Sequence, residues 1–231
     1  MAAEERAALR NAQNEEVSVP AGRSVVARGG TAGALHMLNS GWAVMRSETV
    51  RGRAAILRVY LPGDVIGLCG LAVRRAPHEV RMQTDGAVRT IDPDGVRRLL
   101  QAHPRLAQTL LALASLDQLM MRDQCMALTL MTAEDRLVRF FLDLHARLSM
   151  IGGVEDDRIH LPFSQAEIGA AVGMTSVYVN KLMRKLSEEK RIAVERPHLR
   201  LLDRPGMEAQ TGFTNRLDAL NNEWAPLPQV A

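Results

Sequence analysis

The side chains with the clearest chemistry lie in the segment TSVYVNKLMRKL, which runs from Thr175 to Leu186. At helical spacing, one face of this segment carries hydrogen-bonding groups, cations and one small apolar group: Ser176, Val177, Asn180, Lys181 and Arg184. Cations contact phosphates or guanine, asparagine bonds a base edge, and a short aliphatic group packs on a thymine methyl. The set predicts a helix face that enters the major groove of duplex DNA, whereas each residue taken singly fits a solvated face equally well.

Two short helices would position that face. The run from Ser164 to Glu167 is a capping box that begins the first helix, Gly173 interrupts it, and Thr175 caps the second. The positions expected to face inward are apolar: Ile168, Ala171, Val172, Val179, Leu182, Met183 and Leu186. Two short helices joined by a glycine-containing turn predict a helix-turn-helix.

Two alternating runs around Pro197 follow, and they predict a β-wing beside the second helix. Its basic side chains are expected to contact the DNA backbone: Arg191, Arg196, His198 and Arg200. Residues 158–202 hold eight cations against four carboxylates, a local charge of +4, although the whole chain has a formal charge of only +3. The placement of the cations, rather than their number, favours a nucleic-acid partner.

The first hundred residues predict a β domain after a short helix from Glu4 to Ala12. Short apolar or alternating runs are separated by Gly, Pro and Asn, which is typical of a sandwich or barrel. The predicted strands are Val17 to Val19, Ser24 to Ala27, Leu35 to Leu38, Trp42 to Met45, Ala54 to Leu61, Val80 to Thr84 and Val88 to Ile91.

Helices are expected to replace strands from Asp92 onward. A short helix reaches about Gln101, a long one runs from Pro104 to about Met131, and a third, capped by Thr132, ends near Leu148. The long helix has two apolar stripes, Leu113, Leu116, Met120, Ala127 and Leu130 on one side, and Leu110, Ala114, Met121, Cys125 and Leu128 on the other. We expect one stripe to pack on the β domain and the other on a second copy of the chain, with Asp123 as a polar break in the seam. Burial inside one large domain is the alternative.

The composition is that of a globular protein of one or two domains, with 231 residues, 47% hydrophobic and 24% charged. We find neither a secretory signal nor an apolar stretch of about 18 residues, so we expect a cytoplasmic protein without a membrane partner. Cys69 and Cys125 are too few for a thiolate metal cluster, and packing in the core is their default role. No phosphate-binding loop, nucleophile elbow or HExxH motif is present, which argues against an enzyme.

Taken in order, these motifs resemble those of the bacterial CRP/FNR family, the cyclic-AMP receptor and fumarate-nitrate reductase type regulators. Val19 to Gly22 resembles the entry to the family's β-roll, and Tyr60 to Gly67 resembles its PGD turn. The resemblance implies an α+β fold with a β-roll sensor domain (residues 1–103), a dimerisation helix (104–131), a winged helix-turn-helix (132–203) and a C-terminal tail (204–231), in which we expect a short helix around Thr214 to Asn221.

The same resemblance implies a transcription regulator that binds a pseudo-palindromic site in duplex DNA as a homodimer, with helix 176–187 in the major groove and RNA polymerase as a further partner. The expected DNA-binding residues are Gln165, Thr175, Ser176, Val177, Asn180, Lys181, Arg184 and Arg196. Ser176, Val177 and Lys181 stand where the cyclic-AMP receptor type has Arg, Glu and Arg, so a different base preference is expected. The alternative is a small-molecule or redox signalling protein that uses its helix-turn-helix for protein contact.

The sensor domain departs from the nucleotide-binding members of the family. Their ribose-binding Glu corresponds to Leu68 here, and their phosphate-binding Arg corresponds to His78 or Glu79. An apolar side chain cannot accept the ribose hydroxyl bond and a carboxylate repels the phosphate, so cyclic-nucleotide binding is disfavoured and no cofactor is expected. Haem ligated by Cys69 and His78 is the weaker alternative, and an unknown small effector is left open.

Overall fold

The computed structural model describes residues 3–48, 52 and 54–218, which form two compact units whose boundary falls between Leu119 and Met120. The helices are α1 (Ala3–Ala12), α2 (Pro93–Ala102), α3 (Pro104–Leu130), α4 (Ala133–Ser149), α5 (Gln165–Val172), α6 (Ser176–Glu188) and α7 (Arg204–Thr211), with a 3-10 helix at Leu68–Ala72. The strands are β1 (Val17–Val19), β2 (Ser24–Val26), β3 (Leu35–Ser40), β4 (Ala43–Glu48), β5 (Ala54–Tyr60), β6 (Val65–Ile66), β7 (Glu79–Met82), β8 (Gly86–Ile91), β9 (Val154–Glu155), β10 (Arg158–His160), β11 (Ile192–Glu195) and β12 (His198–Leu201). The predicted α+β class is confirmed.

The first unit contains two four-stranded antiparallel sheets, in the orders β1-β8-β3-β6 and β2-β7-β4-β5. Side chains from both sheets share one buried core, which includes Leu38, Tyr60, Ile66 and Met82. Every strand predicted from the sequence is present within a few residues of its expected bounds. Strand β6 and the 3-10 helix were not predicted, because two apolar residues after a turn are too short to show a period.

A second core joins the β domain to the helices that follow it. Leu35 and Ile91 from the sheet pack with Val96 and Leu99 of α2 and Leu106 of α3. Asp92 caps α2 by accepting a hydrogen bond from the backbone N–H of Gly95 at 2.7 Å. The first turns of α2 and α3 are therefore held on the sheet by apolar burial.

Helix α3 leaves part of its apolar surface uncovered. Leu111 is 60% exposed, Met121 56% and Leu128 47%, and Met121 and Leu128, seven residues apart, lie on one side of the helix. Cys125, on the same side as Met121 and Leu128, is also exposed, and so is Cys69 in the β domain. The expectation that both cysteines pack in the core is therefore wrong for the single chain. No helix in the described ranges is long and apolar enough to cross a membrane.

The second unit is built on α4, whose buried face carries Leu137, Val138, Phe141, Leu144 and Leu148. Thr132 caps this helix as predicted, and its side chain accepts from the N–H of Asp135 at 3.2 Å. Helices α5, α6 and α7 contact α4, as do strands β9 and β10.

Val154–Glu155 forms strand β9, which pairs with β10. The helix expected around Thr214 to Asn221 is wrong for the part that the structure describes. The segment after residue 203 begins with helix α7, whereas residues 214–218 form coil and turn, and positions 219–221 of the expected helix lie outside the described residues.

Leu186→Ala tests whether α6 is fixed by its buried face. Leu186 is 0% exposed, so the substitution should lower the free energy of unfolding by about 2–5 kcal/mol through lost burial and a residual cavity. Val177→Ala on the opposite face is the matched control, since Val177 is 79% exposed and its truncation should change stability by less than about 0.5 kcal/mol. Thermal and denaturant unfolding followed by circular dichroism measure both. Equal stability losses would contradict the assignment of the two faces.

Candidate nucleic-acid interface

The turn between α5 and α6 is fixed by side-chain caps and by glycine. The Ser164 hydroxyl accepts from the N–H of Glu167 at 3.2 Å, and the Glu167 carboxylate accepts from the N–H of Ser164 at 2.8 Å, so the predicted capping box is present. Gly173 ends α5 with φ at 72°, and a Cβ on Gly169 would lie 2.5 Å from the carbonyl oxygen of Met174. Only glycine at 169 lets the turn pass this close to α5.

Helix α6 starts at a cap and divides cleanly into two faces. The Thr175 hydroxyl accepts from the N–H of Tyr178 at 3.3 Å, so this predicted DNA-binding residue acts as the N-cap. The predicted inward residues Val179, Leu182, Met183 and Leu186 are buried. The remaining predicted contact residues on this helix are all exposed: Ser176, Val177, Asn180, Lys181 and Arg184.

The outer face of α6 also carries an exposed aliphatic side chain. Val177 is 79% exposed and the neighbouring Tyr178 is 42% exposed. Sequence reasoning selected Val177 but not Tyr178, because a tyrosine at this position also fits a core helix. The two side chains give the first turn of α6 an apolar surface next to its hydrogen-bonding groups.

The cations around this face differ in whether they are paired. Lys185 lies 2.5 Å from Glu134 and 3.7 Å from Glu189, and its hydrogen bond to Glu134 is the main cause that raises the pKa of Lys185. Arg184 pairs with Glu188 at 3.5 Å on the open surface. Lys181 and Arg196, by contrast, are exposed and have no ion-pair partner among the residues that the structure describes. Lys190, between α6 and β11, is likewise exposed without such a partner in the described ranges, and these three side chains remain available to an anionic partner.

Asn180 on α6 contacts Gln165 at the start of α5. The Asn180 amide nitrogen donates to the Gln165 amide oxygen over 3.0 Å. Both residues were predicted as separate DNA contacts, and the structure shows that they act on each other.

The wing is larger than the two-strand hairpin that the sequence predicts. Strands β11 and β12 form the hairpin, and β10 and β9 extend it to a four-stranded antiparallel sheet in the order β11-β12-β10-β9. Arg158 on β10 and Arg200 on β12 both pair with Glu195, at 3.3 and 3.8 Å. Arg196, in the β11–β12 turn, is therefore the wing cation left free.

Two predicted backbone contacts on the wing have internal partners. The Arg191 side chain is only 14% exposed and pairs with Glu134 of α4 at 3.4 Å, so it is held within the second unit. His198 packs edge-on against His160, with ring centroids 5.5 Å apart, and its Nδ1 lies 3.1 Å from an Arg158 guanidinium nitrogen. Burial, together with the neighbouring His198, lowers the pKa of His160.

Glu134 anchors the base of the interface, a role that the sequence does not reveal. One oxygen of its carboxylate contacts Lys185 of α6 and the other contacts Arg191 before β11. Gln210 of α7 joins the same network by hydrogen bonds with Asp135 and Arg191. The sequence shows Glu134 only as part of an acidic first turn, and its partners lie 51 and 57 positions away.

Asp123 does not form a polar break in an exposed seam, contrary to expectation. Its side chain is 15% exposed and contacts Arg139 at 3.2 Å and Arg216 at 2.8 Å. The hydrogen bond from Arg216 is the main cause that lowers the pKa of Asp123. This residue holds α3, α4 and the segment after α7 together within the second unit.

The β domain contains a small pocket whose lining is mainly apolar and includes His36, Cys69 and His78. The Nδ1 atom of His78 is buried without a hydrogen-bond partner, and burial lowers the pKa of His36. Leu68 does not line this pocket and packs instead against the second core, with α2 and α3. No group of three or more His, Cys, Asp or Glu side chains in the described part of the chain could hold a metal ion.

Comparisons with known proteins match both units. Residues 16–103 fit the family described as cyclic nucleotide-binding domain, and residues 135–210 fit the Crp-like helix-turn-helix domain. The chain is 26% identical over 198 residues to the transcriptional regulatory protein btr of Bordetella pertussis, covering 86% of this chain and 81% of that protein. It is 25% identical over 191 residues to the transcriptional activator protein FnrA of Stutzerimonas stutzeri, covering 83% and 78% of the two chains.

Solved structures show the same fold. FixK2 from Bradyrhizobium japonicum superposes with a TM-score of 0.77 at 20% identity, over 84% of this chain and 96% of that one. The regulator CLP of Xanthomonas campestris gives a TM-score of 0.72 at 19% identity, over 87% and 99%. The fold and the exposed helix-turn-helix are those of DNA-binding transcription regulators. The chain belongs to the CRP/FNR family of these regulators, which confirms the resemblance in its sequence.

Glu134→Gln should loosen α6 and the wing from α4. The substitution keeps the size of the side chain but removes the charge that Lys185 and Arg191 share, so the free energy of unfolding should fall by about 1–3 kcal/mol. Glu188→Gln is the control, because its pair with Arg184 is about 70% exposed on both sides and should contribute less than about 0.5 kcal/mol. Chemical denaturation at pH 7 measures both variants, and a loss no larger for Glu134→Gln than for Glu188→Gln would contradict the anchor.

Proposed function

We propose that the chain binds a pseudo-palindromic duplex site as a homodimer, inserting the first two turns of α6 from each copy into successive major grooves. The observation that carries this proposal is the outer face of α6, which combines exposed hydrogen-bonding, cationic and apolar groups on a helix whose inner face is buried. In this geometry, the recognition helices of a dimer lie one turn of DNA apart, about 34–36 Å. The protein acts by binding rather than by catalysis.

Different residues serve different parts of the contact. Ser176, Val177, Asn180 and Lys181 lie near the start of α6, where a recognition helix reaches base edges. Arg184, one turn further on, and Arg196 in the wing are placed for phosphates, which position the protein without reading sequence. Thr175 and Gln165 act by fixing the backbone and the Asn180 side chain.

The two-fold arrangement requires a surface on which a second copy of the chain binds. The uncovered stripe on α3, with Met121, Cys125 and Leu128, is the surface we assign to the dimer. Large apolar side chains at this spacing favour pairing of two such helices because their mutual burial removes them from water. RNA polymerase is the further partner we propose, and the cytoplasm, which holds bacterial DNA, is the proposed location.

We infer that the sensor domain does not bind a cyclic nucleotide. Leu68, at the position of the ribose-binding Glu, packs into the core, and Glu79 accepts a hydrogen bond from the Ser24 hydroxyl at the other candidate position. We propose that this branch of the family has lost or exchanged nucleotide binding and that any effector is a different small molecule.

Binding-site selection from random duplex DNA tests the proposal directly. The protein should enrich an inverted repeat with half-site centres about 10–10.5 base pairs apart. Affinity for the selected duplex should then fall steeply with added salt, because cationic contacts release condensed counterions. Enrichment of no sequence at low salt, with and without cell extract to supply an effector, would contradict the proposed function.

Arg196→Ala should weaken binding to specific and random duplexes alike. The loss of one phosphate contact should make the slope of log K against log salt shallower by about 0.9, which fluorescence anisotropy at several salt concentrations measures. Arg200→Ala is the control on the same wing, because the Arg200 side chain faces Glu195 and should leave the slope nearly unchanged. A slope change for Arg200→Ala as large as that for Arg196→Ala would overturn the division between paired and free cations.

Met121→Glu should convert the dimer to a monomer, because it places a charge within the proposed apolar interface. Met126→Glu is the matched control: Met126 is 37% exposed and lies about 140° away from Met121 around α3. Analytical ultracentrifugation over a range of protein concentrations measures both variants. A dimer that survives Met121→Glu but dissociates with Met126→Glu would place the interface on another face of the helix.

A further inference from the structure

The amide pair between α5 and α6 restricts which hydrogen bonds the recognition face can offer. Gln165 is the first residue of α5, directly after the Ser164 cap, so its backbone is held by the capping box. Its amide oxygen accepts from the amide nitrogen of Asn180 at 3.0 Å. The two side chains span the turn of the helix-turn-helix and link its two helices at their exposed ends.

The bond fixes which edge of the Asn180 amide is available. An asparagine side chain has two N–H donors and one carbonyl oxygen, and Gln165 takes one of the two donors. One N–H and the oxygen are left for another partner. With the Gln165 oxygen facing Asn180, as it does here, rotation of the Asn180 amide by 180° would bring two acceptors together, so this arrangement of Gln165 holds the Asn180 orientation.

The remaining donor and acceptor match one base in the major groove. Adenine presents an N6 amino donor next to an N7 acceptor, and asparagine bonds both at once. Guanine presents two acceptors, O6 and N7, so it would need both N–H groups of Asn180, one of which is already used. Among the purines, an amide held in this way therefore selects adenine.

We propose that Gln165 is a positioning residue that orients Asn180 to read adenine at one base pair of each half-site. This inference rests on the proposed function, since it requires the outer face of α6 to lie in the major groove. The Gln165 amide nitrogen remains free to donate to a DNA phosphate, which would brace the pair in the complex.

The experiment compares the base preference of four proteins: wild type, Asn180→Ala, Gln165→Met and Gln165→Glu. Site selection on the wild type and Asn180→Ala first identifies the base pair that depends on Asn180. Anisotropy titrations with duplexes carrying each of the four base pairs at that position then measure the preference. Gln165→Met keeps the length of the side chain without an acceptor, whereas Gln165→Glu keeps the acceptor. Residue 165 is half-buried at the start of α5, so circular dichroism first checks that each variant is folded.

The wild type should prefer adenine over guanine at this position by about tenfold, the discrimination expected of one bidentate amide contact. Gln165→Met should reduce that ratio at least threefold and leave the ratios at other positions unchanged. Gln165→Glu should keep the ratio while lowering affinity for every sequence, because its charge repels phosphate. In the double variant Asn180→Ala/Gln165→Met, the second substitution should have no further effect at this position.

Three results would overturn the inference while leaving the proposed function intact: a preference for another base at the Asn180 position, an unchanged ratio in Gln165→Met, or equal losses at all positions in that variant. The last result would show a merely structural role for Gln165. A wild type that binds DNA without preference at any position would overturn the inference and the sequence-specific function together. In that case Asn180→Ala and Gln165→Met would each change the affinity for every duplex by the same factor.

Discussion

Helix α6 must bury one face completely and keep the opposite face free, and the rest of the second unit is arranged around this requirement. Four apolar side chains hold the inner face against the core, while the Thr175 cap and the close approach at Gly169 fix where the helix begins. A recognition helix that shifted by one residue would turn about 100° and bury its contact groups. The packing of Leu186 and its neighbours thus determines which side chains a duplex would meet.

The cations of the second unit also divide into two groups, those that are paired within the chain and those that are not. At the base of the helix, Glu134 pairs with Lys185 and Arg191 and joins α4, α6 and the segment that leads into the wing. At the tip, Lys181 and Arg196 keep their charge available. A modest net charge of +3 for the whole chain is compatible with DNA binding because Lys181 and Arg196 of the second unit are exposed and have no ion-pair partner among the described residues. Whether a cation is paired with a carboxylate of the chain, rather than the number of basic residues, therefore separates the cations that stabilise the fold from those we propose to contact DNA.

Local signals in the sequence predicted the helix-turn-helix well. The capping box at Ser164, the cap at Thr175 and the apolar spacing of α6 each involve residues within a few positions of one another, so propensity and periodicity reveal them. Partners far apart in sequence could not be found this way. Glu134 meets Arg191 across 57 positions and Asp123 meets Arg216 across 93, so the sequence alone left Arg191 free and placed Asp123 in a seam. The two-residue strand β9 was missed because it is too short to show alternation.

The central claim is that α6 lies in the major groove at two points one helical turn apart. A cleavage reagent tethered to the thiol of Arg184→Cys, in protein whose Cys69 and Cys125 are replaced by Ser, measures this position directly, because Arg184 is on the exposed face of α6. We expect the selected duplex to be cut at two symmetric places about 10–10.5 base pairs apart. A single cut, or diffuse cutting along the duplex with no two-fold pattern, would contradict the account.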